Sequence, residues 1–224
     1  GSALATPCAP GTYNDGPGNE TCANCIAGTY QDDPGMTGCK PCDAGYYCAE
    51  GAAAALPCPA GTHQNTSLPF MTSEDQCIIC PEGTFCPVGS ALATPCAPGT
   101  YNDGPGNATC RNCEAGTFQD DPGMTSCKPC TRGYYCAEGA AAALPCPGGT
   151  AKPAGDITMT SVDQCVTCPA GTSCSVGSAE PTLCLPGSFS VNASSETCTL
   201  CKAGEYNDLY NQTECKPCIK GRYC

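Results

Sequence analysis

Eight Cys-x-x-Cys pairs punctuate the chain, from Cys22 and Cys25 to Cys215 and Cys218. Thiols at that spacing support three chemistries: thiolate ligation of zinc, dithiol redox exchange, or closure of two neighbouring disulfides. Cys22, Cys25, Cys39 and Cys42 have the spacing of a four-thiolate zinc site. Against metal stand the regular units such as Cys42, Cys48 and Cys58, for which a zinc-ribbon series has no use. A thioredoxin-type role is weaker still, because eight copies in a turn-rich frame read as structure. The cysteines are therefore expected in disulfides, with no metal and no cofactor.

Other reactive groups are scarce. His63 is the only histidine, and the corresponding place further on holds Ala151. Serines lack a recurring base, and the carboxylates lie in turns with nothing apolar to shift their pKa, so no catalytic residue is expected and the chain is read as a non-enzyme. Asp32-Asp33 and Asp120-Asp121 lack the alternating oxygen ligands of a calcium loop and read as solvated turns. The aromatic series Tyr13, Tyr30, Tyr46, Phe85, Tyr101, Phe118 and Tyr134 could form a binding stripe. The preferred expectation is that each ring covers its own disulfide.

What must position these residues is not an oily core. Leu, Ile, Val and Phe together number 23 of 224 residues, and there is no Trp. Without cross-links such a chain belongs to the disordered class. Its 26 cysteines supply the alternative. Closing a loop of about 15 residues contributes roughly 3 kcal/mol, and a dozen such closures replace a core. Disulfides in that number imply an oxidising, secreted setting. Sequons at Asn19, Asn65, Asn107, Asn192 and Asn211, all within the longest inter-cysteine loops, point to N-linked glycans. A net charge of −12 with nine scattered basic residues argues against nucleic acid as a partner. No apolar run reaches the roughly 18 residues of a membrane span.

The sequence repeats every 88 residues: each cysteine from Cys8 to Cys136 has a counterpart 88 places later, and residues 1–58 differ from 89–146 at seven positions. The expected organisation is a first repeat at 1–88, a second at 89–176 and a partial third at 177–224, a stretch of a longer array. Each repeat divides at its cysteines into three long units and two short ones. Nearly all open Cys-x-x-Gly or Cys-x-Gly-Gly, with an aromatic residue usually two places after the glycine. The expected fold is an elongated rod of small disulfide-rich repeats, each a two-stranded β-ribbon with its turns, with little helix and no conventional hydrophobic core. Turns are expected at Asn14-Asp15-Gly16 and Asp33-Pro34-Gly35. Ala49 to Leu56 admits one helical turn, too short to hold alone.

Two disulfide patterns compete. The long units close on themselves most simply, as Cys25 with Cys39, Cys113 with Cys127, and Cys201 with Cys215. In the four-cysteine blocks an interleaved pattern joins Cys42 to Cys58, Cys48 to Cys77, Cys80 to Cys96 and Cys86 to Cys110. Its next copy joins Cys130 to Cys146, Cys136 to Cys165, Cys168 to Cys184 and Cys174 to Cys198. A sequential pattern instead joins Cys42 to Cys48, Cys58 to Cys77, Cys80 to Cys86 and Cys96 to Cys110. Interleaving is preferred because it straps each unit to the next. It leaves Cys8, Cys22, Cys218 and Cys224 to pair with each other or beyond the chain, whereas the sequential pattern closes every cysteine.

The phrase Cys-x-x-Gly-Thr-Tyr, a polar loop and Cys-x-x-Cys, repeated with Gly-Tyr-Tyr-Cys variants, resembles the cysteine-rich repeat of ephrin-receptor ectodomains and, more distantly, tumour-necrosis-factor-receptor modules. Cys8 to Cys25, Cys25 to Cys42 and Cys113 to Cys130 carry the resemblance most closely. The short units are similar instead to long arrays in protist and algal surface proteins. The resemblance implies an extracellular structural scaffold, the axis of a filament such as a flagellar hair, with other extracellular glycoproteins arrayed along it. The alternatives are a ligand-binding or adhesion ectodomain and a protist surface-coat antigen. The partner face is expected at the most apolar stretches, Ala52 to Leu56, its copy Ala140 to Leu144, and Leu68 to Met71.

Overall fold

A computed structural model describes residues 5–17, 19–155 and 158–224. Close Cα neighbours gather into two compact parts. One comprises Gly1–Ala97, Tyr101–Arg111 and Asp121–Ser126; the other comprises Pro98–Thr100, Asn112–Asp120 and Cys127–Cys224. Both are built from one unit used over and over.

Each unit is a two-stranded antiparallel ribbon with two residues per strand, and twelve such ribbons occur among the described residues. Thr12–Tyr13 pairs with Ala23–Asn24, Thr29–Tyr30 with Lys40–Pro41, and Tyr46–Tyr47 with Leu56–Pro57. The first strand begins four residues after the opening cysteine, on the β-favouring Thr and aromatic residues that follow the motif glycine. The second strand is the pair of residues just before the next opening cysteine. In a long unit these are the two middle residues of the Cys-x-x-Cys, so that motif is a strand with a disulfide at each end. Proline closes many second strands, as at Pro41, Pro57 and Pro129. Its missing N–H is tolerated there because every second strand is an edge.

Among the described residues helix is confined to single 3-10 turns at Glu74–Gln76 and Val162–Gln164. The helical turn admitted at Ala49 to Leu56 does not form. Ala52 N–H donates to Ala49 O, Gly51 takes φ 70°, and the chain leaves the turn for the strand at Leu56. A left-handed residue at that point terminates a helix rather than extending it.

All 26 cysteines are paired in thirteen disulfides, with Cα separations of 5.7–6.4 Å, ordinary for such bridges. The pattern is sequential. Cys42 joins Cys48, Cys58 joins Cys77, Cys80 joins Cys86 and Cys96 joins Cys110. The next copy repeats it: Cys130 with Cys136, Cys146 with Cys165, Cys168 with Cys174, and Cys184 with Cys198. The interleaved expectation is thereby corrected, and with it the expectation for the ends: Cys8 pairs with Cys22, and Cys218 with Cys224. The reason is local. In a short unit the first strand returns the sixth residue after the opening cysteine to a Cα distance of 6.0–6.4 Å from it, 6.0 Å for Cys48 and Cys42, whereas Cys58 already opens the next unit.

Buried apolar side chains are almost all cysteines, joined among the described residues only by Met71, Met159 and Ala151. Large apolar residues such as Ile26, Leu56, Val88 and Leu92 stay exposed.

Candidate functional site: the unit junctions and the surface they repeat

One position organises every junction, the sixth residue after the opening cysteine. In short units it is a cysteine, Cys48, Cys86, Cys136 or Cys174, bridged back to the opening one. In long units it is a polar residue, and Gln31, Asn102, Gln119, Lys152, Ser190 and Asn207 are all buried there. The opening cysteine of a long unit then pairs with the cysteine that starts its Cys-x-x-Cys. Sequence reasoning missed this equivalence, although counting from each opening cysteine exposes it.

Backbone hydrogen bonds tie each unit to the next through this position. In the first part, Gly28 N–H donates to Cys48 O (2.8 Å), Gln31 N–H to Ala52 O (3.1 Å) and Gly51 N–H to Cys25 O (2.8 Å). In the second part the same three bonds recur 88 residues on: Gly116 to Cys136 O, Gln119 to Ala140 O and Gly139 to Cys113 O, with the same lengths. A second three-bond junction also recurs, where the second repeat meets the diverged third. Gly83 N–H to Asn102 O, Cys86 N–H to Asn107 O and Gly106 N–H to Cys80 O become Gly171 to Ser190 O, Cys174 to Ser195 O and Ser194 to Cys168 O, each of the later three at 2.9 Å. Main-chain atoms carry the bonds, so drift of the side chains leaves the junction intact. At roughly 0.5–1.5 kcal/mol net apiece, three such bonds give each junction stability on the order of a few kcal/mol. The strapping expected of interleaved disulfides is thus supplied by hydrogen bonds.

Side chains adapt the junction where the unit changes. Ahead of the longer unit at Cys58, Gly45 N–H donates instead to Gln64 Oε1 (3.0 Å), and Met71 fills the interior beside its carbonyl bond from Cys48 N–H. Asn102 Nδ2 donates to Thr84 O and Thr109 O, and its buried Oδ1 has no partner among the described residues. Asn207 is fully used: Nδ2 donates to Ser188 O and Oδ1 accepts from Gly187 N–H. Loop turns belong to the same system. Gly35, in the expected Asp33-Pro34-Gly35 turn, donates to Cys8 O of the preceding unit, and Gly16 N–H donates to Asn14 Oδ1.

The remaining expected site residues fall on this frame as follows. Cys22, Cys25, Cys39 and Cys42, spaced like a zinc site, belong to three different disulfides. The seven aromatic rings are half-buried. A Cβ added at Gly89 would lie 3.3 Å from the Tyr46 hydroxyl, and one at Gly177 would lie 3.2 Å from that of Tyr134, so these two rings pack on a junction rather than only on their own bridge. His63 Nδ1 contacts the Gln64 carbonyl (2.8 Å). Asp32 and Asp33 clasp Lys40, Asp120 clasps Lys128, and Arg111 pairs with Asp103. Hydrogen bonding to Lys40 and Lys128 holds the Asp32 and Asp120 carboxyls below the usual value.

Of the expected apolar face, Ala53, Ala54 and Leu56 are exposed, as are Ala141, Ala142 and Leu144. The stretch Leu68 to Met71 is corrected: Phe70 is exposed, but Met71 is buried because its carbonyl is drawn into the junction. Among the sequons Asn19, Asn192 and Asn211 are exposed and Asn65 and Asn107 half-buried, with Asn107 Nδ2 bonded to Gly104 O. No helix of the described residues is long and apolar enough to cross a membrane. Comparison with models of known protein families gives no match, and no curated protein matches the chain.

Proposed function

We propose that the chain is part of an extracellular, non-enzymatic scaffold: a disulfide-stapled, N-glycosylated rod that forms the axis of a filament and arrays partner glycoproteins at regular spacing. Its alanine-rich, nearly identical repeats resemble the axial protein of green-algal flagellar mastigonemes, a very long secreted chain of such repeats, and a flagellar hair is the filament this reading favours. Thirteen disulfides fit an extracellular or secreted setting.

The observation that carries the reading is the junction repeated bond for bond 88 residues later, as Gln31 to Ala52 and Gln119 to Ala140. Equivalent junctions offer equivalent exposed patches, Leu56 with Ala53-Ala54 and Leu144 with Ala141-Ala142, as a lattice of identical partners needs. A receptor for one ligand needs one unit to differ. The test is immunogold electron microscopy of intact source cells with an antibody to this chain, together with the stoichiometry of the surface glycoproteins that co-purify with it. Label along surface filaments, with one partner per 88-residue repeat, is the expected result. Label at isolated membrane points with one ligand per molecule supports the receptor alternative, and a continuous labelled coat supports the surface antigen. Either overturns the scaffold.

A further inference from the structure

The disulfide pairing decides which residues feel a pull on the two ends of the chain. A bridge that closes a loop takes that loop out of the load path, because force crosses the sulfur–sulfur bond. Between Cys8 and Cys96 five loops are bypassed in this way: Cys8–Cys22, Cys25–Cys39, Cys42–Cys48, Cys58–Cys77 and Cys80–Cys86. The load path keeps three residue steps at each of three Cys-x-x-Cys junctions and ten at each of two segments, Cys48 to Cys58 and Cys86 to Cys96. That makes 29 steps out of 88.

The two ten-step segments differ from the rest in how they are held. In a long unit the second strand follows the closing cysteine directly, so breaking its ladder frees almost no chain. In a short unit the first strand lies inside the bridge and the second lies outside it, as Tyr46–Tyr47 against Leu56–Pro57 and Thr84–Phe85 against Thr94–Pro95. Cys48 to Cys58 is otherwise held by Gly51 N–H to Cys25 O and Gln31 N–H to Ala52 O; Cys86 to Cys96 is held by Gly89 N–H to Cys58 O and Gln64 N–H to Ser90 O. No bridge spans either segment.

We infer that the two short units of each repeat are extension elements with a covalent stop. Under tension their ladders and junction bonds open, each segment releases at most about 33–36 Å of chain, and the disulfides then arrest further lengthening. With bridges intact one 88-residue period stretches to about 130 Å; reduced, it stretches to about 310 Å, roughly 2.4-fold further. The device follows from the pairing and from the bonds that hold each segment, and does not depend on the filament reading.

Pulling the full chain by its two ends in an optical trap, before and after a phosphine reductant, tests it. Reduction is expected to raise the fully stretched length about 2.4-fold, and the oxidised trace is expected to show only releases of about 36 Å or less. Replacing Cys42 and Cys48 together by serine is expected to add about 15 Å to the oxidised length, the freed loop less the bridge it replaces. Oxidised releases that match the opening of a whole long-unit loop, a stretched length unchanged by reductant, or a Cys42→Ser/Cys48→Ser chain no longer than the parent would each overturn the inference.

Discussion

At Gly99 two demands coincide that only glycine meets, a φ of 84° and a carbonyl oxygen, that of Gly139, 2.3 Å from where a Cβ would stand. Gly187 has the same φ of 84° with nothing within 4 Å of the added atom. The pair separates backbone strain from contact. Both alanine variants carry the left-handed penalty of about 1–2 kcal/mol. Gly99→Ala must in addition push Gly139 away and loosen its bond to Cys113 O. Gly99→Ala is therefore expected to lower the melting temperature more than Gly187→Ala, and to speed amide exchange at Gly139; equal losses would remove the contact from the account. The loop clasps give a second prediction at this scale. Hydrogen bonding to Lys40 depresses the Asp32 pKa, and the same bond raises that of Lys40. A depressed carboxyl adds stability above its unfolded pKa and loses it as pH falls through the folded value. The raised ammonium adds stability below its unfolded pKa and loses it as pH rises through the folded one. The clasp thus holds across neutral pH and opens at both extremes. In Lys40→Met the Asp32 midpoint, followed by carboxyl-carbon NMR, is expected to move upward; an unchanged midpoint removes the clasp from the account.

The ribbon was legible because Gly-Thr-Tyr and Cys-x-x-Cys recur with fixed offsets, and the first strand falls on the aromatic residue after the glycine, as Thr29–Tyr30; that its partner, Lys40–Pro41, sits inside the Cys-x-x-Cys was not. Nor was the partner of each short-unit cysteine, because Cys42 can close a tolerable loop either on Cys48 or on Cys58, and spacing alone does not choose between them. What decided it was the return of the first strand, a three-dimensional fact. The junctions were hidden for a different reason: their bonds are main-chain bonds and leave no side-chain signature except the loop glycines that feed them. Those glycines give a prediction for the element. Gly106 donates to Cys80 O, and 88 residues later Ser194, at φ 66°, donates to Cys168 O in the same role. A non-glycine residue there is strained, so Ser194→Gly is expected to stabilise unglycosylated protein by about 0.5–1 kcal/mol in a thermal or denaturant melt. A destabilised variant would mean that the Ser194 side chain contributes more than its backbone conformation costs. Asn211, at φ 61° where the second repeat has Gly123, is a second instance of the same drift.

For the molecule as a whole, local closure means that covalent continuity depends on where the chain is cut. A nick inside a bridged loop, such as one after Lys202 between Cys201 and Cys215, leaves both sides joined. A nick between bridges parts them. Ala53-Ala54 and Ala141-Ala142 are exposed, lie between bridges and suit an elastase, whose pocket takes small side chains. Interleaved bridges, with Cys42 on Cys58 and Cys48 on Cys77, would span those alanines and keep the fragments together. The sequential pairing leaves nothing across them. Brief elastase digestion of the native chain is therefore expected to give fragments that separate on a non-reducing gel, with ends at Ala53-Ala54 and Ala141-Ala142 by mass. Trypsin at Lys202 is expected to give a nick visible only after reduction. Elastase fragments that part only under reductant would restore the interleaved strap. The short unit would then be a covalent brace, and the division of labour in which bridges close each unit while main-chain bonds join the units would have to be abandoned.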